Sequence, residues 1–258
     1  MVDRLNRGKS RKKNIVLMDR DINALLQIYL HRTITSSQLA RLCFSDISYE
    51  TARKRLRRLQ QAGFTGSSSS GRMEGRGRPE LIYYLTTQGA KALEQNKGMS
   101  WEEIPTGPPH TYHKEHFLRL VDVRLSLFDA EQMGMISDLE FSTGREFWEE
   151  LTGDRAYGVE QADATISFRY PGTNLLTILL EIDTGNFRQT RHWEPKMRSF
   201  LKTGFPVWII TGSAPRIMTL QKWTAPLLSE AGFGPGKCVF AIYDEIINQG
   251  VFGAVWQR

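Results

Sequence analysis

Apolar residues begin to recur at helical spacing shortly after the start of the chain. From Asp19 onward, Ile22, Leu25, Leu26, Ile28 and Leu30 mark a first helix of about three turns. Thr33-Ile34-Thr35 interrupts that pattern, and Thr35 or Ser36 is placed to cap a short second helix through Leu39, Ala40 and Leu42. Ser45–Ile47 is a second break. Ser48 then predicts the cap of a third helix, with Glu50 in its first turn and Gly63 as its stop. Ala52, Leu56, Leu59 and Ala62 form the stripe that would face the first two helices. Phe64-Thr65 starts a strand, residues 66–78 form a Gly/Ser-rich turn region with four consecutive serines, and Leu81–Thr86 (LIYYLT) reads as a second strand. A helix is expected over Gln88–Glu94.

Residues 96–109 are rich in Gly and Pro, as a linker would be. Beyond it, Phe117, Leu118, Val121, Leu125 and Phe128 stripe a long helix over His113–Glu131. Three strands follow, over Met135–Phe141, Gln161–Arg169 and Leu175–Asp183, the last nearly all apolar and so expected at the centre of a sheet. The pattern continues with a helix over Arg191–Leu201, a strand over Pro206–Thr211, a helix over Pro215–Ala231, and strands over Cys238–Tyr243 and Val251–Trp256. The implied organisation is a basic arm at 1–18, a helical module with a β-hairpin at 19–96, a linker at 97–110, and an α/β sheet domain at 111–258.

Charge sharpens this division. The net charge of +6 conceals 18 Lys+Arg against 8 Asp+Glu in residues 1–96, but 16 against 20 in the remaining 162. A cationic first third suggests that one module meets a polyanion. The chain lacks an apolar run near the roughly 20 residues that span a bilayer, and its basic start leads into no long apolar region, so neither a membrane span nor a secretory signal is expected. Cys43 and Cys238, far apart and without metal-ligand spacing, suggest reduced thiols in a cytoplasmic protein.

Helix, short helix, turn, longer helix and hairpin is the order of a winged helix-turn-helix, which reads duplex DNA. The third helix carries Thr51, Arg53, Lys54, Arg55, Arg57 and Arg58 away from its apolar stripe. A solvated face would mix in acids for (i, i+4) pairing, and this stretch has only Glu50. Tyr49, Thr51, Arg53 and Lys54, near the helix start, are the candidates for base contacts, with Arg57 and Arg58 as phosphate clamps. Arg76-Gly77-Arg78-Pro79 at the hairpin tip resembles the core of an AT-hook, in which an extended Arg-Gly-Arg backbone fits a narrow minor groove. The arm at Arg4–Lys13 is either a further phosphate contact or a solvated tail.

The chemistry candidates of the second domain are carboxylates. Glu181 and Asp183 alternate onto one face of the apolar strand LLEID, and a neighbouring strand would bring Asp163 alongside. Such a group repels unless a hard cation or protons lie within it. Two readings stand open: a metal site, or a strand end whose acids pair with Arg188, Arg191 or Lys196. His110, His113 and His116 invite a zinc reading, but no Cys joins them, and surface histidines near carboxylates are the plainer one. The fingerprints of Ser-His-Asp triads, Walker loops and Rossmann glycines are absent.

Strand Asp, then Glu-x-Asp on the next strand, then a helix, resembles the PD-(D/E)xK nuclease core, with Ala162 at the proline position and Asp183 where the lysine belongs. The whole chain resembles the replication-relaxation family of plasmids and mobile elements, on the residues RDINALLQIYLHRTITSSQLARL, YYLTTQGAKAL, QADATISF and LLEIDTGNF. The resemblance implies an α/β (α+β) protein with an N-terminal winged helix-turn-helix and a C-terminal restriction-endonuclease-like domain. It further implies Asp163 and Glu181 as ligands of Mg²⁺ or Mn²⁺ if the site is active, with Lys196 or Arg188 substituting for the missing lysine and Glu115, Glu140 or Glu146 adding a ligand. Double-stranded DNA is the expected partner, in replication, maintenance or transcriptional control. A homodimer and replication or mobilisation proteins are further expected partners. The nuclease-like domain is expected either as a binding or dimerisation platform or as a metal-dependent endonuclease or nickase.

Overall fold

The computed structural model of the 258-residue chain describes residues 15–74, 78–108, 111–143, 162–185 and 189–256. It is a mixed α/β protein whose residues group into two compact units, Met1–His110 and Thr111–Arg258.

The first unit contains α1 (Asp19–His31), β1 (Ile34–Thr35), α2 (Ser36–Cys43), α3 (Tyr49–Ala62), β2 (Thr65–Glu74), β3 (Arg78–Leu85) and α4 (Thr87–Lys97). Hydroxyl caps fix the helix starts. Thr35 accepts from the Gln38 N–H and the Gln38 side chain accepts in return from the Thr35 N–H, a reciprocal box at the start of α2. Ser48 accepts from the Thr51 N–H at 3.3 Å, and α3 ends on Gly63 in the left-handed region, φ 90°. Leu56 and Leu59 of α3 are both fully buried, each worth about 1.5–3 kcal/mol of apolar burial. β3 lies between β1 and β2, antiparallel to both.

Residues 66–74, expected as a turn region, are instead part of strand β2, paired with β3 from Thr65↔Leu85 through Ser69↔Leu81 before the register shifts towards Met73↔Pro79. Ladder hydrogen bonds outweigh the weak strand preference of glycine and serine here. A Cβ at Gly66 would lie 2.3 Å from the Tyr84 ring, so a larger residue there would displace that ring. The expected linker includes buried Ile104, and the Gly107 N–H donates to the Leu85 carbonyl within the same unit.

The second unit runs α5 (Thr111–Gln132), β4 (Ser137–Thr143), β5 (Ala164–Arg169), β6 (Leu176–Asp183), α6 (Thr190–Thr203), β7 (Val207–Thr211), α7 (Ala214–Glu230), β8 (Cys238–Ile242) and α8 (Tyr243–Trp256). The strands form one sheet in the order β4-β5-β6-β7-β8. β4, β5 and β6 are antiparallel, while β6, β7 and β8 are parallel. Alternation along β6 sorts its residues between the two faces. Ile178, Leu180 and Ile182 join the core with Leu120, Val123 and Leu127 of α5 and Val251 and Phe252 of α8. Leu179 joins the core with Trp193, Met197 and Phe200 of α6 and Ile217 and Leu220 of α7.

The segment Val251–Trp256, expected as a strand, is the last part of helix α8, beyond a break at Gly250 (φ 77°). Short apolar runs do not distinguish a strand from a buried helix, and burial of Val251, Phe252 and Ala254 against α5 and the sheet decides it. Neither cysteine forms a disulfide, and burial pushes the Cys238 thiol up to about 12. Among the described residues, no helix is long and apolar enough to cross a membrane.

Candidate functional site

Two groups of charged residues emerge, one in each unit. On α3, Lys54, Arg57 and Arg58 are exposed and have no ion-pair partner among the described residues. They stand at i, i+3 and i+4, neighbours on the helix surface, so their mutual repulsion is unrelieved within the unit. Thr51 is exposed beside them, its hydroxyl 2.9 Å from the Ser48 hydroxyl. Arg53 is half-buried and 3.8 Å from Glu50. Tyr49 donates to the Ser36 hydroxyl at 3.3 Å, which ties the start of α3 to α2.

Arg55, expected on the same cationic face, is turned inward. Its Nε donates to Asp21 Oδ1 at 2.8 Å and its Nη2 to Asp21 Oδ2, and Nη2 also donates to the Val16 carbonyl at 2.9 Å. Asp21 is 1% exposed, and its carboxylate holds the Arg55 guanidinium more firmly charged than usual. The free cationic face is therefore narrower than the sequence pattern alone implies. The partner is 34 residues away in sequence, and nothing local announces it. Arg76 lies outside the described residues, and Arg78 is described only as backbone at the start of β3.

In the second unit the carboxylates separate into two arrangements. The pairing Ala164↔Leu180 sets Asp163, just before β5, opposite Glu181 on β6. Asp163 Oδ2 accepts from the Ile182 N–H at 2.7 Å, and Oδ1 lies 3.1 Å from His116 Nε2 of α5. Glu181 is 2% exposed. Its Oε1 accepts from Lys196 Nζ of α6 at 2.6 Å, while its Oε2 has no hydrogen-bond partner. Burial, and then the facing Asp163 carboxylate, push Glu181 well above the ordinary carboxylate range, and Lys196 pulls it back. Asp163, Glu181 and Lys196 are thus brought together, the lysine from a helix and the acids from two neighbouring strands.

Asp183 faces the same side as Glu181 but belongs to the other arrangement. Both its oxygens accept from Arg216 of α7, at 2.7 and 2.9 Å, and Oδ2 also accepts from the Thr211 hydroxyl. Arg216 lies over the Trp223 ring, 5.3 Å from its centroid. Arg216 and Thr211 went unnoticed in the sequence because no motif marks a lone arginine 33 residues downstream. Glu115 pairs with Arg119 one helical turn on, and Glu140 is exposed on β4 opposite Ser167. Glu146, Arg188 and His110, and the side chain of His113, lie outside the described residues.

A divalent cation would take its protein oxygens from Asp163 and Glu181, where the unpartnered Glu181 Oε2 is an open donor. No group of three or more His, Cys, Asp or Glu able to hold a metal ion occurs among the described residues, so water or phosphate would have to complete the shell.

No curated protein matches the chain. Among solved structures, TrmBL2, described as an archaeal chromatin protein with a novel mode of DNA binding, matches at 16% identity over 86% of this chain and 69% of its own, with a TM-score of 0.20. So loose a likeness carries no weight for fold or function. The replication-relaxation family model matches residues 25–201, a span from α1 into α6 that takes in parts of both units. The chain belongs to the replication-relaxation family.

Proposed function

We propose that the chain is a sequence-specific double-stranded DNA-binding protein of a plasmid or mobile element, acting in replication, maintenance or transcriptional control. The second unit serves as a binding or dimerisation platform. The observation that carries this reading is the exposed row Lys54, Arg57 and Arg58, which finds no acid among the described residues on a helix whose other face is fully buried. A phosphate backbone supplies the missing counter-charge. Thr51 and Arg53, nearer the helix start, are placed for base edges. Family membership is in keeping with work on replicating DNA. The test is duplex binding over a salt series for wild type and Lys54→Ala/Arg57→Ala/Arg58→Ala. The variant is expected to bind more weakly, with a slope of log affinity against log salt shallower by about 2–3. Unchanged affinity and slope would remove the reading.

A second reading is favoured by one observation, the 2.6 Å approach of Lys196 to Glu181 with Asp163 opposite. It makes the second unit a metal-dependent endonuclease or nickase. Asp163 and Glu181 would hold Mg²⁺ or Mn²⁺, which when bound supplies Lewis-acid polarisation of the phosphate and an activated water. Lys196 would place positive charge at the scissile phosphate. Supercoiled plasmid incubated with either metal separates the two readings. Product from wild type, and none from Asp163→Ala/Glu181→Ala, establishes cutting. Intact plasmid with retained band-shift leaves the platform.

A further inference from the structure

Asp163 is held more firmly than an acid at the start of a strand needs to be. Its backbone N–H donates to the Leu180 carbonyl at 3.0 Å, and its Oδ2 accepts from the Ile182 N–H at 2.7 Å. Both contacts come from the backbone of β6. The other oxygen, Oδ1, is met from a different direction, by His116 Nε2 of α5 at 3.1 Å, with the two side chains 19% and 15% exposed. A carboxylate oxygen can only accept, so the imidazole hydrogen at this contact belongs on Nε2. The His116 ring packs nearly at right angles to that of Phe117, while the preceding acid, Glu115, accepts from Arg119. A side chain of α5, rather than the hairpin alone, therefore completes the orientation of Asp163.

Opposite it, Glu181 is 2% exposed, with Lys196 on Oε1 and no hydrogen-bond partner on Oε2. Two facing acids, one with a buried oxygen left unpartnered, are unfavourable by themselves and suit an occupant that is a hard cation. We infer that His116 is a positioning residue for a divalent cation held by Asp163 and Glu181, fixing the Asp163 carboxylate where it faces the open Glu181 oxygen. The inference rests on the metal-dependent reading of the second unit and adds to it a residue from outside the two strands. His116 is not itself a ligand: its Nε2 is turned to Asp163, and no three His, Cys, Asp or Glu residues able to hold a metal ion occur together among the described residues. A group that orients a ligating carboxylate governs metal affinity because a carboxylate free to rotate must be ordered when the ion arrives. The rival role is purely structural, with His116 fastening α5 to the sheet. That role would change stability and leave the cation affinity of the folded protein alone.

The experiment titrates Mn²⁺ into the full-length chain and follows the free ion by its electron paramagnetic resonance signal, so that no cutting activity is needed. Wild type is compared with His116→Ala, His116→Gln and Asp163→Ala/Glu181→Ala, and the urea midpoint of each is recorded beside its affinity. Wild type is expected to bind one ion that the double variant does not. His116→Ala should bind it about 10–100-fold more weakly. His116→Gln, whose amide nitrogen can donate where Nε2 does, should recover most of that loss. Affinity in His116→Ala equal to wild type would overturn the inference, as would a glutamine variant no better than the alanine one. A lowered urea midpoint with unchanged affinity would leave His116 the structural role alone. If wild type holds no more Mn²⁺ than Asp163→Ala/Glu181→Ala, the metal-dependent reading itself falls and the role of His116 falls with it. Should His116→Ala fail to fold, His116→Leu, which fills the space of the ring without a donor, takes its place and must show the same loss.

Discussion

Lys54, Arg57 and Arg58 stand in solvent without an ion-pair partner among the described residues, whereas Asp163, Glu181 and Asp183, gathered at one end of a sheet, are each engaged by a cation or an N–H donor. Dielectric explains the different treatment. Like charges on an exposed helix cost a few tenths of a kcal/mol, an expense that can stand until a partner arrives. A buried carboxylate costs several kcal/mol unless compensated, so its partner must come from within the fold. The first unit consequently offers its charge outward. The second is closed on itself, and anything entering beside Glu181 must compete with Lys196.

The contrast can be broken most forcefully at Lys196. Lys196→Met leaves Glu181 buried without its cation and is expected to destabilise the protein by about 3–5 kcal/mol, read from the urea midpoint. Adding Glu181→Gln should restore most of that loss. A single variant as stable as wild type would mean that the pair is not compensating a buried charge.

On α3 the opposite pattern is expected. Lys54→Ala/Arg57→Ala/Arg58→Ala should leave stability within about 0.5 kcal/mol per site. Duplex affinity should fall at least about tenfold, some 1.4 kcal/mol. A large loss of stability would show that these cations serve the fold.

A pH series sharpens the account of Glu181. Its folded pKa lies above its unfolded value near 4.5, so the stability it contributes is fully present below about 4.5 and is lost as pH climbs through the raised value. Glu181→Gln cannot ionise, and should gain on wild type between about 4.5 and the raised value, by at most about 1.4 kcal/mol per pH unit, with no further gain above it, measured by thermal melts. A difference independent of pH would contradict the assignment.

The smallest effect is expected at Arg198, which pairs with Glu194 and Glu230 on the surface of the same unit. Arg198→Ala should leave the melting temperature within the scatter of repeated scans. A clear drop would mean that pairing, rather than burial, separates the two regions.

What could be read from the sequence follows the range of the forces involved. Ser48, Thr35 and Gly63 announce helix ends through hydrogen bonds within a few residues, and the stripe Ala52-Leu56-Leu59 announces a buried face by its period alone. The apolar run at β6 likewise placed that strand inside the sheet. Arg55 could not be told from Arg57 or Arg58, because only the fold brings Asp21 to it. Asp183 looked like a third member of the acid group until Arg216 was seen to hold it, while Lys196 and Arg188 were equal candidates by position alone. Strand β2 and the last part of α8 were misread for a related reason. Serine-rich and short apolar stretches have little preference of their own, and pairing with β3 or burial against α5 decides for them.

The hairpin of β5 and β6 has a practical consequence. Its turn is exposed over residues 171–175, with Gly172 in the left-handed region at φ 77°. Asp163 and Glu181 sit at the opposite, open end, about 20 Å away at roughly 3.3 Å per residue. Insertions in the turn are therefore insulated from the acid pair by the full length of the ladder. A short peptide tag placed after Gly172 should leave that pair, its lysine and the core beneath it undisturbed, which makes this turn a natural attachment point for a label.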